Sequence, residues 1–430
     1  MSQNIRIGYV NHEYPVLTET FVYREVLGLQ QAGLHVSTFA VWKPDEASLS
    51  QESKDMVAST TYVFPTSWAK FFGKQLSYLV RHPRKYLGTF AFVMTRKGES
   101  FSNRRRTFYH FCEAAYLADE VKRQKIDHVH AHFSINAATV TLVLARLLDI
   151  SFSFTAHNNL FYDQLILKEK VKEAKFVIVV SEYNRRFINK LIGRDDYNHK
   201  MHTVHYGLSV NSFVPPAAKP DNPVPVILLV SQLAERKGTP YLVKACKILK
   251  DRGLKFRCII AGEGPERPII EDLIAQNDLA GEVEMVGAVY QEQLKQYLNQ
   301  ADIFTLPCIV ASNGDIDGIP NVLMEAMATE IPAISTYVSG IPELIENEEC
   351  GLLVNEKDEM ALAEALQRLL ENPTLRAELG RRGRQKVIQE FNIDRNAERL
   401  ASIFERYVQH PAKPSVSTTQ RDWVEQQGKV

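Results

Sequence analysis

Short apolar runs alternate with amphipathic stretches along almost the whole chain, and this alternation constrains the fold more than any other feature. A short continuous apolar run is a strand covered on both faces, and an amphipathic stretch between two such runs is a helix laid across the sheet. The runs predict strands at Ile5–Val10, His35–Val41, Asp127–Ala131, Ser151–Thr155 and Phe176–Val180 in the first half. In the second half they predict strands at Val226–Ser231, Phe256–Ala261, Val283–Val286, Ile303–Leu306, Pro332–Ser335 and Leu352–Val354. Helical periodicity fills most of the gaps, as at Thr239–Lys250 and Met360–Leu370. The class is α/β with doubly wound parallel sheets.

Between the two sets lies FVPPAAKPDNPVP, residues 213–225, where proline density breaks both periodicities. The chain therefore divides into a Rossmann-like domain over 1–212, a linker over 213–225 and a second Rossmann-like domain over 226–392. A helix candidate at Asp394–Tyr407 follows with no new strand after it, so residues 393–410 are expected to cross back to the first domain. The segment 411–430 is a polar tail. A length of 430 residues also exceeds what one core usually supports.

Charge excludes some functions. Lysine plus arginine number 51 and aspartate plus glutamate 51, so no whole-chain field points to nucleic acid. The five cysteines have neither metal nor disulfide spacing, which suits reduced thiols in a cytoplasm. The first residues, MSQNIRIGYVNHEYP, contain no apolar signal core, and no run reaches the ~18 apolar residues of a spanning helix. A cytoplasmic chain is expected, with the inner face of the membrane as its further point of contact.

One segment departs from the balance. Between residues 65 and 110, Lys70, Lys74, Arg81, Arg84, Lys85, Arg96, Lys97, Arg104, Arg105 and Arg106 face a single acid within the segment, Glu99. Among them lie Trp68, Phe71, Phe72, Tyr78, Tyr86, Phe90, Phe92, Phe101 and Phe108. Basic residues mixed with large apolar ones on helix-forming segments suit an anionic membrane surface. A helical insertion packed on its own domain, with solvated charges, fits the same letters.

Three windows carry chemistry. In DGIPNVLMEAM, Asp317 to Met327, Pro320 suits the first turn of a helix, whose free N–H groups near Gly318, Ile319, Asn321 and Val322 would form an anion site. Glu325 follows Asn321 by one turn on the same face, where its carboxylate could accept two hydrogen bonds from a ribose diol. A capped helix with a solvated glutamate is the plainer alternative. In VSQLAERKG, Lys237 sits in a polar loop between strand and helix and could reach a diphosphate; a solvated loop lysine is the commoner fate. In FSFTAHNNL, His157 emerges at the carboxyl end of a strand, where α/β folds bind ligands; a structural histidine is its rival.

These windows, taken in order, resemble the retaining family-4 glycosyltransferases of the GT-B fold, especially those that build bacterial exopolysaccharide and lipopolysaccharide. The resemblance runs through YVNHEYPVLTETFVYREVLGLQQAG, HAHFSINAA, FSFTAHNNL, VVSEYNRRF and VHYGLSVNSF. It continues through VSQLAERKG, AGEGPERP, VGAV, DGIPNVLMEAMATEIPAIST and SGIPELI. It implies a nucleotide-sugar donor, UDP- or GDP-linked, with no metal cofactor. It implies an acceptor such as a saccharide or a polyprenyl-diphosphate-linked sugar. Lys237 is similar to the family lysine on the donor diphosphate, and Glu325 to the second glutamate of the E-x7-E motif, which holds the ribose. Asp317 stands at that motif's first position, one methylene shorter, and would meet the donor sugar. His157 is similar to the histidine beside the transferred sugar, and Glu263 would lie along the nucleotide.

One departure bears on activity. Where the family usually reads G-R-L, this chain reads Ser231–Gln232–Leu233, so a neutral amide replaces the arginine that pairs with phosphate. Arg236 is close enough in sequence to compensate. A degenerate, non-catalytic protein of the same fold, acting as a partner or sugar-sensing subunit, is the alternative that Gln232 supports. Other rivals find less. The alternating His128, His130 and His132 could share one strand face and hold a metal, but the segment matches the family's H-A-H-F. A dehydrogenase would need a Gly-rich turn after the first strand, and GYVNHEYPVLTE has none. No Gly-x-Ser-x-Gly elbow marks a hydrolase.

Overall fold

The computed structural model describes residues 5–16, 19–45, 49, 51–96, 99–161, 163–193, 197–217 and 222–409. The tail 411–430, Lys97 and linker positions 218–221 lie outside them.

The first half opens with β1 (Arg6–Glu13), α1 (Thr20–Gln31), β2 (His35–Trp42), α2 (Gln51–Ser59) and β3 (Thr61–Phe64). Three consecutive helices follow, α3 (Trp68–Arg81), α4 (Pro83–Met94) and α5 (Phe101–Arg123). Then come β4 (His128–His132), α6 (Asn136–Leu148), β5 (Ser151–Ala156), α7 (Leu167–Glu173), β6 (Phe176–Val179), α8 (Glu182–Ile192) and β7 (Met201–Thr203). These strands form one parallel sheet ordered β3-β2-β1-β4-β5-β6-β7.

The second half holds β8 (Val226–Val230), α9 (Thr239–Asp251), β9 (Arg257–Ala261), α10 (Arg267–Gln276), β10 (Val283–Gly287) and α11 (Gln291–Gln300). It continues with β11 (Ile303–Thr305), α12 (Asn321–Ala328), β12 (Ala333–Thr336), α13 (Ile341–Leu344) and β13 (Leu352–Val354). Helices α14 (Glu359–Glu371), α15 (Pro373–Glu390) and α16 (Ile393–Phe404) close the chain, the last running into a π-type turn over Glu405–Gln409. The second sheet is also parallel, ordered β10-β9-β8-β11-β12-β13.

All eleven expected apolar runs are strands. The two that the sequence reading missed, β3 and β7, are the edges of the first sheet, four and three residues long. Short edges are a common way to blunt an unpaired ladder, and they leave too little apolar pattern to read.

The basic segment forms α3, α4 and the start of α5, stacked outside α6. Its charges are not as lopsided in space as in sequence, because acids from elsewhere meet them. Asp119 pairs with Arg81 at 2.7 Å and Lys74 at 3.4 Å, Asp149 with Lys85, and Asp163 with Arg106 at 2.6 Å. Arg96 lies between Glu99 and Glu169, and Arg104 donates to the carbonyls of Met94 and Arg96. Among the described residues of the segment, Lys70, Arg84 and Arg105 remain exposed without a partner named above. The aromatics divide likewise. Phe71 and Tyr78 enter the core, whereas Trp68, Phe72 and Phe101 stay exposed.

The halves are tied by a crossing of the chain. The N–H of Leu208 donates to the Phe391 carbonyl at 2.7 Å, and that of Ile393 returns to Leu208 at 3.1 Å. Gly207 is required at the crossing, since a Cβ there would overlap the Cα of Ile393. Helix α16 then lies on the first domain, its Leu400, Ala401 and Phe404 packed against Ile5, Ile7, Tyr9 and Leu29. A second tie comes from Glu343 of α13, which accepts from the N–H groups of Glu182 and Tyr183 at the start of α8, at 2.8 and 3.0 Å. It also meets His205 at 3.1 Å. Burial opposes its charge, yet these donors outweigh burial and hold the Glu343 carboxyl below its usual range. Phe404→Ala should therefore cost about 3–5 kcal/mol by cavity formation. It should lower the urea midpoint, and a loss under about 1 kcal/mol would show that α16 is not anchored.

Candidate active site

Two parallel sheets present their carboxyl ends to one cleft, and the connections leaving those ends line a cavity of about 630 Å³. This is where such folds bind ligands, because loops there are free of the strand ladder while the helices that follow aim their N–H groups inward. From the second domain the wall contains Ser231, Gln232, Lys237, Gly262, Glu263, Asp317, Ile319, Pro320, Asn321 and Glu325. From the first it contains Phe21, Asn158 and Tyr206.

The loops after β8 and β9 cross at van der Waals contact. Ser231 N–H donates to Ala261 O at 3.0 Å and Leu233 N–H to Glu263 O at 2.9 Å. Gly262 has φ +149°, and a Cβ there would overlap the Ser231 carbonyl. Only glycine serves there. Glu263 is tied to Arg267 one turn along.

Lys237 ends a short 3-10 turn over Glu235–Lys237, and its Nζ meets Asp317 Oδ2 at 2.6 Å. The other Asp317 oxygen lies 3.4 Å from Arg236 Nε, and Arg236 also reaches Asp315 at 3.1 Å and the Gln232 amide oxygen at 3.2 Å. Two cations thus face two carboxylates. The arrangement answers what the sequence left open about Arg236: its guanidinium is engaged by Asp315, Asp317 and Gln232, and it does not line the cavity. Gln232 accepts from Arg236 and so helps to orient it.

Helix α12 begins at Asn321, so Pro320 is its N-cap and not its first helical residue. With no side chain capping it, the first N–H groups are left for a ligand. Glu325 stands in the same wall, and burial pushes its carboxyl up to about 7. Gly318 packs on the Asn158 amide and is not part of the cavity wall.

His157 also differs from expectation. It is buried, does not line the cavity, and stacks behind Phe21 and Tyr206 at centroid distances of 5.3 and 5.4 Å. Burial and then His132 hold its ring well below the usual imidazole range, hence neutral. The alternating histidines do share one face. Each ring nitrogen of His128 and His130 meets a hydroxyl of Ser151, Ser153 or Thr155 at 2.7–3.0 Å. Among the described residues, Glu25, His130 and His132 are the group with metal-ligand spacing, their atoms within 4.8 Å of one another. Both nitrogens of His130 are already occupied by those hydroxyls.

The residues missed at first, Phe21, Asn158 and Tyr206, come from α1 and from the turns after β5 and β7. Asn158 directly follows His157, and Tyr206 lies in VHYGL, so position beside matched motifs was the available signal. A second cavity of about 340 Å³ opens on the first domain at the ends of β1 and β4, lined by His12, Glu13, Glu19 and Asn136.

Comparison with known proteins agrees with this fold. Residues 213–386 match the family model of glycosyl transferases group 1, and residues 18–211 that of glycosyltransferase family 4. The chain is 31% identical over 412 residues to the amylovoran biosynthesis glycosyltransferase AmsK of Erwinia amylovora, covering 94% of this chain and all of that one. It is 40% identical over 201 residues to the putative colanic acid biosynthesis glycosyltransferase WcaL of Escherichia coli K12, across 46% of this chain and 49% of the relative. The crystal structure of Anabaena Alr3699/HepE in complex with UDP superposes with a TM-score of 0.67 at 14% identity, covering 93% of this chain and 99% of the other. At that identity the likeness speaks for the fold.

The raised carboxyl of Glu325 yields a signed expectation. If Glu325 holds a ribose diol, both hydroxyls donate to the carboxylate, whereas the neutral acid offers one of them a weaker acceptor, so binding favours loss of the proton. Affinity for a nucleoside diphosphate should therefore fall about tenfold between about pH 8 and pH 6, on top of the phosphate's own titration. Calorimetry on Glu325→Gln measures that background slope. An equal slope in the wild type would remove Glu325 from the ligand.

Proposed function

The chain belongs to glycosyltransferase family 4, and from that premise we propose that it builds an exopolysaccharide by moving a hexosyl unit from a nucleoside-diphosphate sugar to a lipid-linked saccharide, with retention at the anomeric carbon. The observation that carries this reading is one cavity holding Lys237, the open amino end of α12 and Glu325 together. As the glycosidic bond to phosphate stretches, negative charge gathers on the departing diphosphate. Lys237 and the α12 N–H groups are the groups that meet it, and Asp317 gives up Lys237 as the diphosphate arrives. Asp317 then faces the donor sugar, and Glu325 grips the ribose. The acceptor attacks from the leaving-group side, approaching from the first-domain cavity near His12 and Glu19. The charge stabilisation is entirely protein-borne, so no metal is invoked. A protein of the same fold, the Anabaena neighbour, has been crystallised in complex with UDP.

Lys237→Ala should lower turnover by about 10²–10³, the cost of removing a preorganised charge-stabilising group. Activity should persist in EDTA. Loss that magnesium or manganese restores would count against the mechanism, and a screen of UDP- and GDP-sugars fixes the donor.

A lipid-linked acceptor is supported by the outer face of α3. Trp68, Phe72, Leu76 and Val80 recur every fourth residue and are 66, 62, 62 and 70% exposed. Lys70 of the same helix and Arg84 at the start of α4 are also exposed. No acidic residue occurs between Asp55 and Glu99. Among the described residues no helix is long and apolar enough to cross a membrane, so contact would be along the surface. Each buried apolar side chain contributes about 1.5–3 kcal/mol and each nearby cation about 1 kcal/mol. Trp68→Ala/Phe72→Ala/Leu76→Ala should abolish co-sedimentation with anionic liposomes while leaving nucleotide binding intact. Arg104 and Arg106 make a poor test, since both are engaged within the fold. If the wild type ignores anionic liposomes at low salt, a soluble acceptor replaces the lipid-linked one.

A further inference from the structure

A row of hydrogen bonds leads from the interior of the first domain to the wall of the large cavity. Glu25 Oε1, on α1, accepts from the Tyr9 hydroxyl at 2.7 Å and lies 2.8 Å from His132 Nε2. His132 Nδ1 lies 3.0 Å from His157 Nε2, and His157 Nδ1 lies 3.0 Å from the Tyr206 hydroxyl. Tyr206 lines the cavity. Rings clamp the row from the sides: Phe133 and Phe21 stack on His157 at 4.4 and 5.3 Å. A small cavity of about 30 Å³ touches Glu25, His132, His157 and Tyr206 and is closed by Asn396 of α16.

The direction of each bond follows from the one before it. A carboxylate oxygen only accepts, so His132 Nε2 carries its hydrogen toward Glu25. Neutral His132 then offers the Nδ1 lone pair, and His157 donates its Nε2–H to it. His157 Nδ1 is left as acceptor, so Tyr206 donates inward. With a hydrogen on both His132 nitrogens the bond to Glu25 is unchanged and the two outer bonds reverse, His132 Nδ1–H donating to His157 Nε2 and His157 Nδ1–H to the phenol oxygen. The groups that surround His132 and bear on this choice are Glu19 at the start of α1, Glu25 of α1, Tyr9 of β1, His130 of β4, and His157 and His205 beyond β5 and β7.

We infer that Glu25 is a positioning residue for sugar transfer, its carboxylate fixing, through His132 and His157, the direction in which the Tyr206 hydroxyl donates at the donor cavity. This rests on the reading of that cavity as the donor site. Glu25 touches neither donor nor acceptor. It acts by holding the row in one of its two polarities, and so the cavity wall in one arrangement of donor and acceptor atoms.

Glu25→Gln keeps the shape and removes the charge. It should lower kcat roughly ten- to a hundredfold while leaving UDP or GDP affinity within about twofold. Tyr206→Phe should give a similar kcat loss, and the double variant should be no worse than either single one, because the two act in series. Imidazole nitrogen shifts of labelled protein should place His157 in the Nε2–H form in the wild type and shift it toward Nδ1–H in Glu25→Gln. Wild-type kcat in Glu25→Gln, additive losses in the double variant, or an Nδ1–H His157 in the wild type each overturn the inference. If neither UDP nor GDP binds the wild type, the donor-site reading fails instead, and the nitrogen shifts still decide the polarity of the row.

Discussion

The crossing at Gly207 and Ile393 is the constraint on which the rest of the molecule depends. A parallel sheet offers a binding edge only at the carboxyl ends of its strands, and two such edges make a cleft only if the sheets are held face to face. Backbone hydrogen bonds between Leu208 and residues 391 and 393 fix that relation without any long side chain. The absence of a Cβ at Gly207 allows the approach. Helix α16 then converts the crossing into buried apolar contact through Phe404, and Glu343 adds a charged tie beside the cleft. Asn396 of the same helix donates to the His205 carbonyl, next to Tyr206 of the cavity wall. The fastening and the site are thus neighbours in one structure.

Electrostatics inside the cleft are arranged around competition. Lys237 is paired with Asp317 and Arg236 with Asp315, Asp317 and Gln232, so neither cation waits unpaired for a phosphate. Under the proposed function an incoming diphosphate would displace a carboxylate, which makes affinity a difference between two ion pairs and not the full value of one. Glu325 works in the opposite sense. Burial disfavours its charge, and a ligand that donates hydrogen bonds restores it. Gln232 belongs to this balance, since its amide oxygen accepts from Arg236 without adding a third cation.

The first domain supplies a different kind of wall. Its histidines are buried and hydroxyl-bonded, and burial holds His128 near 3 and His130 and His157 well below the usual imidazole range. They act as neutral, directional hydrogen-bonding groups behind the surface that Phe21 and Tyr206 present to the cavity. On the outer side, α3 pairs Lys74 and Arg81 with Asp119 yet leaves its apolar ridge exposed.

Much of this was determined by the sequence alone. Strand runs such as VILLV at β8 are apolar because both faces are covered, so the two parallel sheets could be read from the letters. Motifs that are local in sequence, such as the turn into α12 carrying Asn321 and Glu325, could be placed because strand, turn and helix follow within a few residues. What the sequence did not contain was anything that depends on residues far apart. Edge strands β3 and β7 were too short to show a pattern. Arg236 could be assigned a direction only once Asp315 and Asp317, some eighty positions later, stood beside it. The basic segment looked unopposed until Asp119, Asp149 and Asp163 came into contact with it. Glu25 gave no signal at all, because its partner His132 lies 107 residues away and only the folding of α1 over the carboxyl end of β4 brings them together. Periodicity records burial, which each residue carries in its own chemistry. Pairing is a property of two residues and a distance, and only the tertiary structure sets the distance.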